Sequence, residues 1–421
     1  MTKATDTHAM PSLAGAEWLT RPPTRAVFAA LAATGHPVRA VGGAVRNALL
    51  GLPVTDIDLA TPARPEAVIM AAHRAGLKAI PTGIAHGTVT DVSESRAYEV
   101  TTLRRDLATD GRHATVAFTD DWAEDARRRD FTINALFCDA DGTVHDPLGG
   151  RADVTARRVR FIGDAEARIT EDHLRILRFF RLHAAYGHGT LDVAGLAACV
   201  RGRDGLARLS AERIRAEVLK LLVAPGAVDA IAAMTDCGLL CLILRVAPRP
   251  GVLRQAVAAE AALGRAPDVL LRLSALALAV AEDIPRLSDR LRLSHGERDR
   301  LLVIEARAAD TFANFDAAAV RRHLYRTGLE PMRRQIVALA SLGPGQHSLA
   351  LHLEVMAAAG PAPQFPLAGR DVLALGLPAG PGVGRLLAEI EAWWVASEFP
   401  SEGEVRGRLA ALIAARKGSS S

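Results

Sequence analysis

Two aspartates separated by one residue, Asp56 and Asp58 in PVTDIDLAT, are suited by type and spacing to hold a divalent cation. On a strand the side-chain period is two, so both carboxylates would point to one face. An Asp-x-Asp pair is common by itself, and so is a glycine pair at a turn. In this chain both fall within one stretch, VRAVGGAVRNALLGLPVTDIDLAT, which reads as strand, glycine turn, helix and strand. Gly42-Gly43 would let a phosphate approach the backbone, the helix start would offer free N–H groups, and Arg46 would stand one turn in. That combination suits a nucleoside triphosphate with its metal. The pattern GxxxxGK[ST] is absent, so the stretch is not a P-loop.

Periodicity predicts the elements that must hold these residues. A loosely ordered leader over residues 1 to about 20 precedes a helix that follows Pro22-Pro23 and ends near Gly35. A second helix spans about Pro65 to Ala75. Alternation at Gly87 to Val92 and Ala97 to Leu103 predicts two adjacent antiparallel strands, the second presenting Glu99. The polar segment RRDLATDGRHATVAFTDD predicts a mobile loop of functional length. Next come EDARRRDFTINALF, with Phe131, Ile133, Leu136 and Phe137 behind an Arg-Arg-Asp cluster, and a turn at HDPLGG.

From about Ala165 the pattern is helical almost throughout. ITEDHLRILRFFRLHAAYG predicts a helix with Thr170 as N-cap and an apolar stripe of Ile176, Leu177, Phe180 and Ala184. On it Asp172 and Arg175, three apart, would share a face and offer an acceptor and donors to one base edge. Arg178 and Arg181 continue that stripe. LSAERIRAEVLKLL predicts a helix from Ser210 that buries Ile214, Val218, Leu221 and Leu222. The remainder reads as a multi-helix body punctuated at Pro225-Gly226, Pro248 to Gly251 and Gly343 to Gly345.

Composition limits the alternatives. With 421 residues, 49% hydrophobic and 23% charged, the chain can form two or more domains with sizeable cores. A net charge of +4, a pI near 9.1 and more Arg than Lys permit a phosphate-rich partner without requiring one. Four cysteines in so long a chain argue against a disulfide framework. Cys237 and Cys241 suit one helix face better than half a zinc site. The N-terminus lacks the apolar core of a signal peptide and no segment has the apolar length of a membrane span, so the expected location is cytoplasmic.

Taken in order, Gly42-Gly43-Ala44-Val45-Arg46, Asp56 with Asp58, EVTTLR from Glu99, RRDFTINAL from Arg128, DPLGG from Asp146, EDHLRILR from Glu171 and LSAERIRAE from Leu209 resemble the class II tRNA nucleotidyltransferases and bacterial poly(A) polymerases. The resemblance is strong over roughly the first 225 residues and weaker beyond, where GRDVLALGLPAGPGVGRLL from Gly369 looks like the family's C-terminal segment. It implies an α/β nucleotidyltransferase head of polymerase β type with a mixed sheet, over residues 1–160. An all-α neck for base recognition would follow over 161–225, and an all-α body and tail for tRNA binding over 226–421.

The resemblance further implies roles. Asp56 and Asp58 would hold two Mg²⁺ ions about 3.5 to 4 Å apart, as in two-metal phosphoryl transfer, with Glu99 as third carboxylate. Gly42, Gly43, Arg46 and Arg129 would hold the triphosphate, and Asn134 would sense the ribose. Asp172 and Arg175 would read CTP or ATP without a nucleic-acid template, and Arg178 and Arg181 would make further nucleotide or phosphate contacts. Arg128 is read as part of a solvated charge cluster and Glu171 as a first-turn dipole partner. The family commonly has Asp after the Arg of GGxVR, whereas this chain has Asn47, which weakens any carboxylate role at that position.

Other features take plainer readings. His145-Asp146 belongs to the DPLGG turn, and His86 is a strand-edge hydrogen-bonding residue. Gly380 to Gly384 fits either a phosphate-touching hairpin or a helix–helix turn. Arg321, Arg322, Arg326, Arg333 and Arg334 suggest the tRNA backbone, although such clusters are also ordinary solvated helix faces. The leading expectation is addition or repair of the tRNA 3′-terminal CCA from CTP and ATP with release of pyrophosphate. The alternatives are a poly(A) polymerase, a partial A-adding enzyme and a non-catalytic RNA-binding relative. IPTGIAHGTVTDV looks like the tRNA enzymes and lacks an arginine-rich strand, while the intact RRDLATDGRH segment argues against a CC-only enzyme.

Overall fold

The computed structural model describes residues 12–110, 113–309, 316–329 and 349–418. The chain divides into two compact units, Met1–Pro248 with Asp289–Arg292, and Arg249–Ser288 with Leu293–Ser421.

The first unit opens with a helical turn, α1 (Glu17–Thr20), and α2 (Pro22–Ala32). The described part of the expected leader is therefore ordered: Trp18 and Leu19 are buried, and the Leu13 N–H donates to the Gly142 carbonyl at 2.8 Å. Burying two large apolar groups offsets the entropy of fixing so short a segment. Next come β1 (Arg39–Val41), α3 (Gly43–Leu49), β2 (Ile57–Thr61), α4 (Pro65–Arg74), β3 (Lys78–Gly83), β4 (Thr88–Ser93) and β5 (Arg96–Thr102). The predicted antiparallel pair is β4 and β5. The segment expected to be a loop instead forms an antiparallel hairpin, β6 (Arg104–Asp110) with β7 (His113–Phe118). Its polar composition hid the strands, because apolar alternation marks a strand only where one face is buried against a core.

After α5 (Trp122–Arg127), the strands β8 (Phe137–Cys138) and β9 (Val144–His145) complete a seven-stranded sheet in the order β3-β4-β5-β2-β1-β8-β9. It is mixed, with β2 and β5 parallel and β1 antiparallel to β2. Residues directly opposed in neighbouring strands share a face. Ile57, Tyr98 and Asp91 therefore lie on the buried side, while Asp58, Glu99 and Thr90 lie on the other. The Tyr98 hydroxyl meets Thr24 of α2 at 3.0 Å, which marks the buried side as the one that α2 covers.

Asp91 is the anomaly on that side. It is fully buried, neither carboxylate oxygen has a hydrogen-bond partner among the described residues, and burial pushes its pKa up to about 6. A raised carboxyl pKa means the folded state binds the proton more tightly than the unfolded chain. The penalty is therefore absent below about pH 4, grows as pH rises towards 6, and reaches about 3 kcal/mol. Asp91→Asn should flatten this part of the stability profile. Denaturant melts at pH 4.5 and 7.5 check it: wild type should lose more stability than the variant over that interval, and parallel profiles would contradict the assignment.

The helical part of the first unit comprises α6 (Gly150–Thr155), α7 (Ala165–Glu171), α8 (Leu174–Tyr186), α9 (Val193–Arg201), α10 (Ala211–Leu222), α11 (Ala227–Asp236) and α12 (Leu239–Leu244). The predicted stripe is buried on α8, and α10 is capped by Ser210 as expected. Thr170 is not an N-cap: α7 is capped by Asp164, and the Thr170 hydroxyl donates back to the Glu166 carbonyl at 2.9 Å. Cys237 and Cys241 do not share one helix, because Gly238 in the left-handed region (φ 70°) separates α11 from α12.

In the second unit, helices Pro381–Ala396 and Glu402–Gly418 pack around Leu386, Ile390, Trp394, Val405 and Leu409. Gly380 opens the first of these helices, so no hairpin forms at Gly380 to Gly384. Gly343 to Gly345, with Arg333 and Arg334, lie outside the described residues. On helix Ala317–Thr327, Arg321 donates to the Ala359 carbonyl at 3.1 Å, Arg322 stands 3.7 Å from Glu398, and Arg326 is exposed.

Candidate active site

The site starts where β1 ends. Gly42 has φ 70° and ψ −116°, a conformation that side-chain-bearing residues avoid, and its N–H donates to the Leu136 carbonyl at 3.1 Å. The turn sends the chain into α3. With only seven residues α3 aligns few peptide dipoles, so Arg46 supplies the main positive charge at this end of the site.

Arg46 is 6% exposed. Its Nη1 donates to Asn134 Oδ1 at 2.5 Å, and its Nε and Nη2 donate to Asn47 Oδ1 at 3.2 and 2.8 Å. Its guanidinium carbon lies 3.7 Å from the centroid of the Tyr186 ring. Burial pushes the Arg46 pKa below its ordinary value. Asn47, the departure from the family pattern, is a holder of Arg46, and its own amide is tied to the Pro53 carbonyl at 2.9 Å.

The carboxylates stand at the other side. Asp58 begins the exposed face of β2, and Glu99 of β5 is its register partner, so the two sit side by side across parallel strands. Asp56 lies one residue ahead of β2 and is exposed, continuing the out-in-out alternation through buried Ile57. Burial, then the charge of Glu99, raises the Asp58 pKa; Arg129 opposes this and Asp56 reinforces it. Among the described residues no three carboxylate, His or Cys side chains form a ready-made metal cage. Mg²⁺ commonly takes one or two protein carboxylates and completes its shell with water and substrate phosphate. Mutually repelling carboxylates that expose oxygen donors fit such an ion.

Arg129 is held by Asp125, which accepts from its Nε and Nη2 at 3.2 and 2.9 Å. Burial alone would push the Asp125 carboxyl up, but Arg129 and Arg128 outweigh it and hold it below the usual range. Arg128 is thus a half-buried partner of Asp125, at 2.7 Å, and the solvated-cluster reading is corrected for it. Asp130 is also buried. It accepts from the Phe131 N–H at 2.9 Å, Asn134 Nδ2 at 3.1 Å and Arg178 Nε at 2.7 Å. Burial opposes ionisation of Asp130, yet Arg178 and these hydrogen bonds keep its pKa low. Asn134 therefore joins Arg46 to Asp130, and Asp130 joins Asn134 to α8.

The helix expected to carry Asp172 and Arg175 is broken between α7 and α8, and Asp172 occupies the break with extended backbone (φ −155°). The shared helix face is corrected accordingly. Asp172 Oδ1 instead accepts the Leu174 N–H at 3.1 Å at the start of α8, while its Oδ2 accepts from Arg213 of α10 at 2.7 Å. Glu171 ends α7 and pairs with Arg168 and Arg175, so it is a counter-ion and not a first-turn dipole partner. Arg175 also donates to the Arg168 carbonyl at 2.7 Å. Arg181 pairs with Glu217 of α10.

These residues converge. One cavity of about 440 Å³ is lined by Gly42, Gly43, Arg46 and Asp58 from the sheet end, by Arg129 and Asn134, and by Asp172, Arg175, Arg178 and Arg181 from the α8 side. It thus gathers all nine residues expected to bind nucleotide together with Asp58. Asp56 and Glu99 are not in its lining. The sequence reading assigns no role to Tyr186, Asp130, Arg213 or Glu217. A signal existed for Glu217, which falls on the same helical stripe as Ile214, Val218 and Leu221 and so had to be buried with a partner. His145 and Asp146 are structural: His145 meets Asp139 at 2.5 Å, and Asp146 accepts the Gly150 and Arg151 N–H groups at the start of α6. His86 uses its carbonyl, which accepts from Arg104.

Comparison with known proteins gives the family of the chain. Residues 38–160 match the poly A polymerase head domain, and residues 192–248 match a probable RNA- and SrmB-binding site of polymerase A. The chain is 34% identical over 379 residues to the mitochondrial CCA tRNA nucleotidyltransferase 1 of Mus musculus, covering 87% of this chain and 85% of the relative. It is 32% identical over 401 residues to the CCA-adding enzyme of Geobacillus kaustophilus, covering 88% and 91%. The crystal structure of the Bacillus stearothermophilus CCA-adding enzyme in complex with CTP superposes with a TM-score of 0.60 at 28% identity, over 95% of this chain and 100% of that one. The Thermotoga maritima CCA-adding enzyme complexed with tRNA shares the fold, with a TM-score of 0.64 at 18% identity over 92% and 94%. With 85% and 91% of these relatives covered at 34% and 32% identity, the chain belongs to the family of CCA-adding tRNA nucleotidyltransferases, which carry the poly A polymerase head.

Proposed function

We propose that this chain adds or repairs the 3′-terminal CCA of tRNA from CTP and ATP, and that the cavity of about 440 Å³ holds the incoming nucleotide. The observation that carries this reading is the convergence of phosphate-binding and base-reading residues on one cavity. Arg46 and Arg129 hold the triphosphate, and Gly42 and Gly43 leave room for it beside the backbone. Arg46 and Asp130 orient the Asn134 amide, which faces the ribose. Asp172 and Arg175 present an acceptor and donors to the base edge, and Arg178 and Arg181 supply positive charge along the same wall. Asp56 and Asp58 would hold Mg²⁺, with Glu99 as the neighbouring carboxylate; when bound, the ion lowers the pKa of the RNA 3′-hydroxyl and neutralises charge on the leaving pyrophosphate.

The same reading keeps residues 1–160 as head, 161–225 as neck and 226–421 as body and tail, with Arg321, Arg322, Arg326, Arg333 and Arg334 towards tRNA phosphates. It also keeps a cytoplasmic location. No described helix is long and apolar enough to cross a membrane, and some relatives are mitochondrial by name. Two acceptors test the function. With CTP alone, tRNA lacking its CCA should gain two residues and stop; with ATP alone, tRNA ending in CC should gain one. ATP addition without any C addition would identify a partial A-adding enzyme. Chelation with EDTA should stop both reactions, and Mg²⁺ should restore them.

A further inference from the structure

Tyr186 has no place among the residues expected to touch nucleotide, yet it meets the cavity's most enclosed cation. It is the last residue of α8, the helix that carries Arg175, Arg178 and Arg181, and its ring centroid lies 3.7 Å from the Arg46 guanidinium carbon. Asn47 and Asn134 occupy three of the five N–H groups of Arg46. The Tyr186 side chain also hydrogen-bonds to the guanidinium, and the directions of its terminal N–H groups depend on the guanidinium plane. Hydrogen bonds at its edges fix its position; a ring against its flat face fixes its tilt.

We propose that Tyr186 is a positioning residue that holds the plane of Arg46, so that its terminal nitrogens address the phosphates of the incoming nucleotide. Because Tyr186 ends α8, the same contact ties the phosphate-holding side of the cavity to its base-reading side. Asn134 and Asp130 make a second tie, from Arg46 to Arg178. The aromatic tie is set by side-chain shape and the polar tie by charge, so they can be removed separately. This inference rests on the nucleotide-binding reading above.

The test is steady-state kinetics on tRNA lacking its CCA, with Tyr186→Leu and Tyr186→Phe beside wild type. Leu should raise the KM for CTP and for ATP roughly tenfold, with kcat within about threefold, whereas Phe, which keeps the ring and loses only the hydrogen bond of the hydroxyl, should raise it by no more than about threefold. Inhibition by cytidine, which has no phosphate, separates this role from general loosening: its inhibition constant should not move in the Leu variant. Adding Tyr186→Leu to Arg46→Lys should raise KM little further, since the planar partner is already gone. An unchanged KM in the Leu variant, equal damage by Phe and Leu, or a cytidine constant that rises with the KM overturns the proposal. If Leu does not fold, Tyr186→Met, which also removes the ring, takes its place with the same expectations. A wild-type enzyme that incorporates neither C nor A would instead overturn the underlying functional reading.

Discussion

Asp58→Ala is expected to lower C and A incorporation by roughly a thousandfold or more, about 4 kcal/mol in the barrier, while tRNA affinity stays near wild type. The expectation follows from position. Of the three carboxylates assigned to chemistry, Asp58 is the one in the cavity lining, and it sits in register with Glu99 across parallel strands. Its effect on stability should run the other way. The raised pKa of Asp58, caused by burial and then by Glu99, means that its charged form is disfavoured in the folded protein. A folded-state carboxyl pKa above the unfolded value costs stability that begins once pH exceeds the unfolded pKa and is complete above the folded one. Removing the charge should leave the melting temperature equal or higher. Single-turnover incorporation, tRNA binding by filter retention and a thermal melt check the three parts. Retained turnover would remove the metal assignment, and a lowered melt would contradict the electrostatic account.

The second large effect concerns nucleotide choice. Asp172→Ala should weaken discrimination of CTP and ATP against UTP and GTP by about ten- to a hundredfold, the range for losing a buried hydrogen-bonding partner that reads a base edge. The structure adds a complication. Asp172 also caps the Leu174 N–H and pairs with Arg213, so alanine removes a helix cap and strands a partly buried guanidinium. Asp172→Asn separates these effects, because its amide oxygen can keep the cap while the charge and one acceptor are lost. Discrimination should fall in both variants, and the melting temperature should fall mainly with alanine. Unchanged preference among the four nucleotides in both variants would count against Asp172 as the reader. A loss of rate with preference intact would reassign it to holding α8.

The sequence made the chemistry legible further than the scaffolding. Asp58, Glu99, Gly42 and Arg46 could be found because their residue types are unusual for their places: two acids on strands, a glycine where a helix begins, a cation on a short helix. The antiparallel pair could be expected from alternation at β4 and β5 and the mixed sheet only from the family resemblance, whereas β3, β8 and β9 are too short or too exposed to carry a period. The hairpin of β6 and β7 was hidden because its segment is polar and reads as a loop. The least legible feature was the break between α7 and α8. Every residue from Ile169 to Arg175 suits a helix locally, and the break instead satisfies Asp172, whose two oxygens are claimed by the Leu174 N–H and by Arg213, forty-one residues on. Long-range ion pairs of this kind, including Asp130 with Arg178 and Arg181 with Glu217, leave almost no trace in a local pattern. A buried charge on an apolar stripe, as at Glu217, is the exception.

Product length tests the central claim most directly. The claim is that one cavity holds the nucleotide for a short, self-terminating addition in which protein side chains choose the base. Wild-type enzyme, tRNA lacking its CCA, Mg²⁺ and both CTP and ATP should give a product three nucleotides longer than the acceptor, ending in CCA by sequencing, with no product when Asp58→Ala replaces wild type. A long adenosine tail would identify a poly(A) polymerase. Absence of incorporation by wild type at any Mg²⁺ concentration would contradict the account and leave an RNA-binding relative without catalysis.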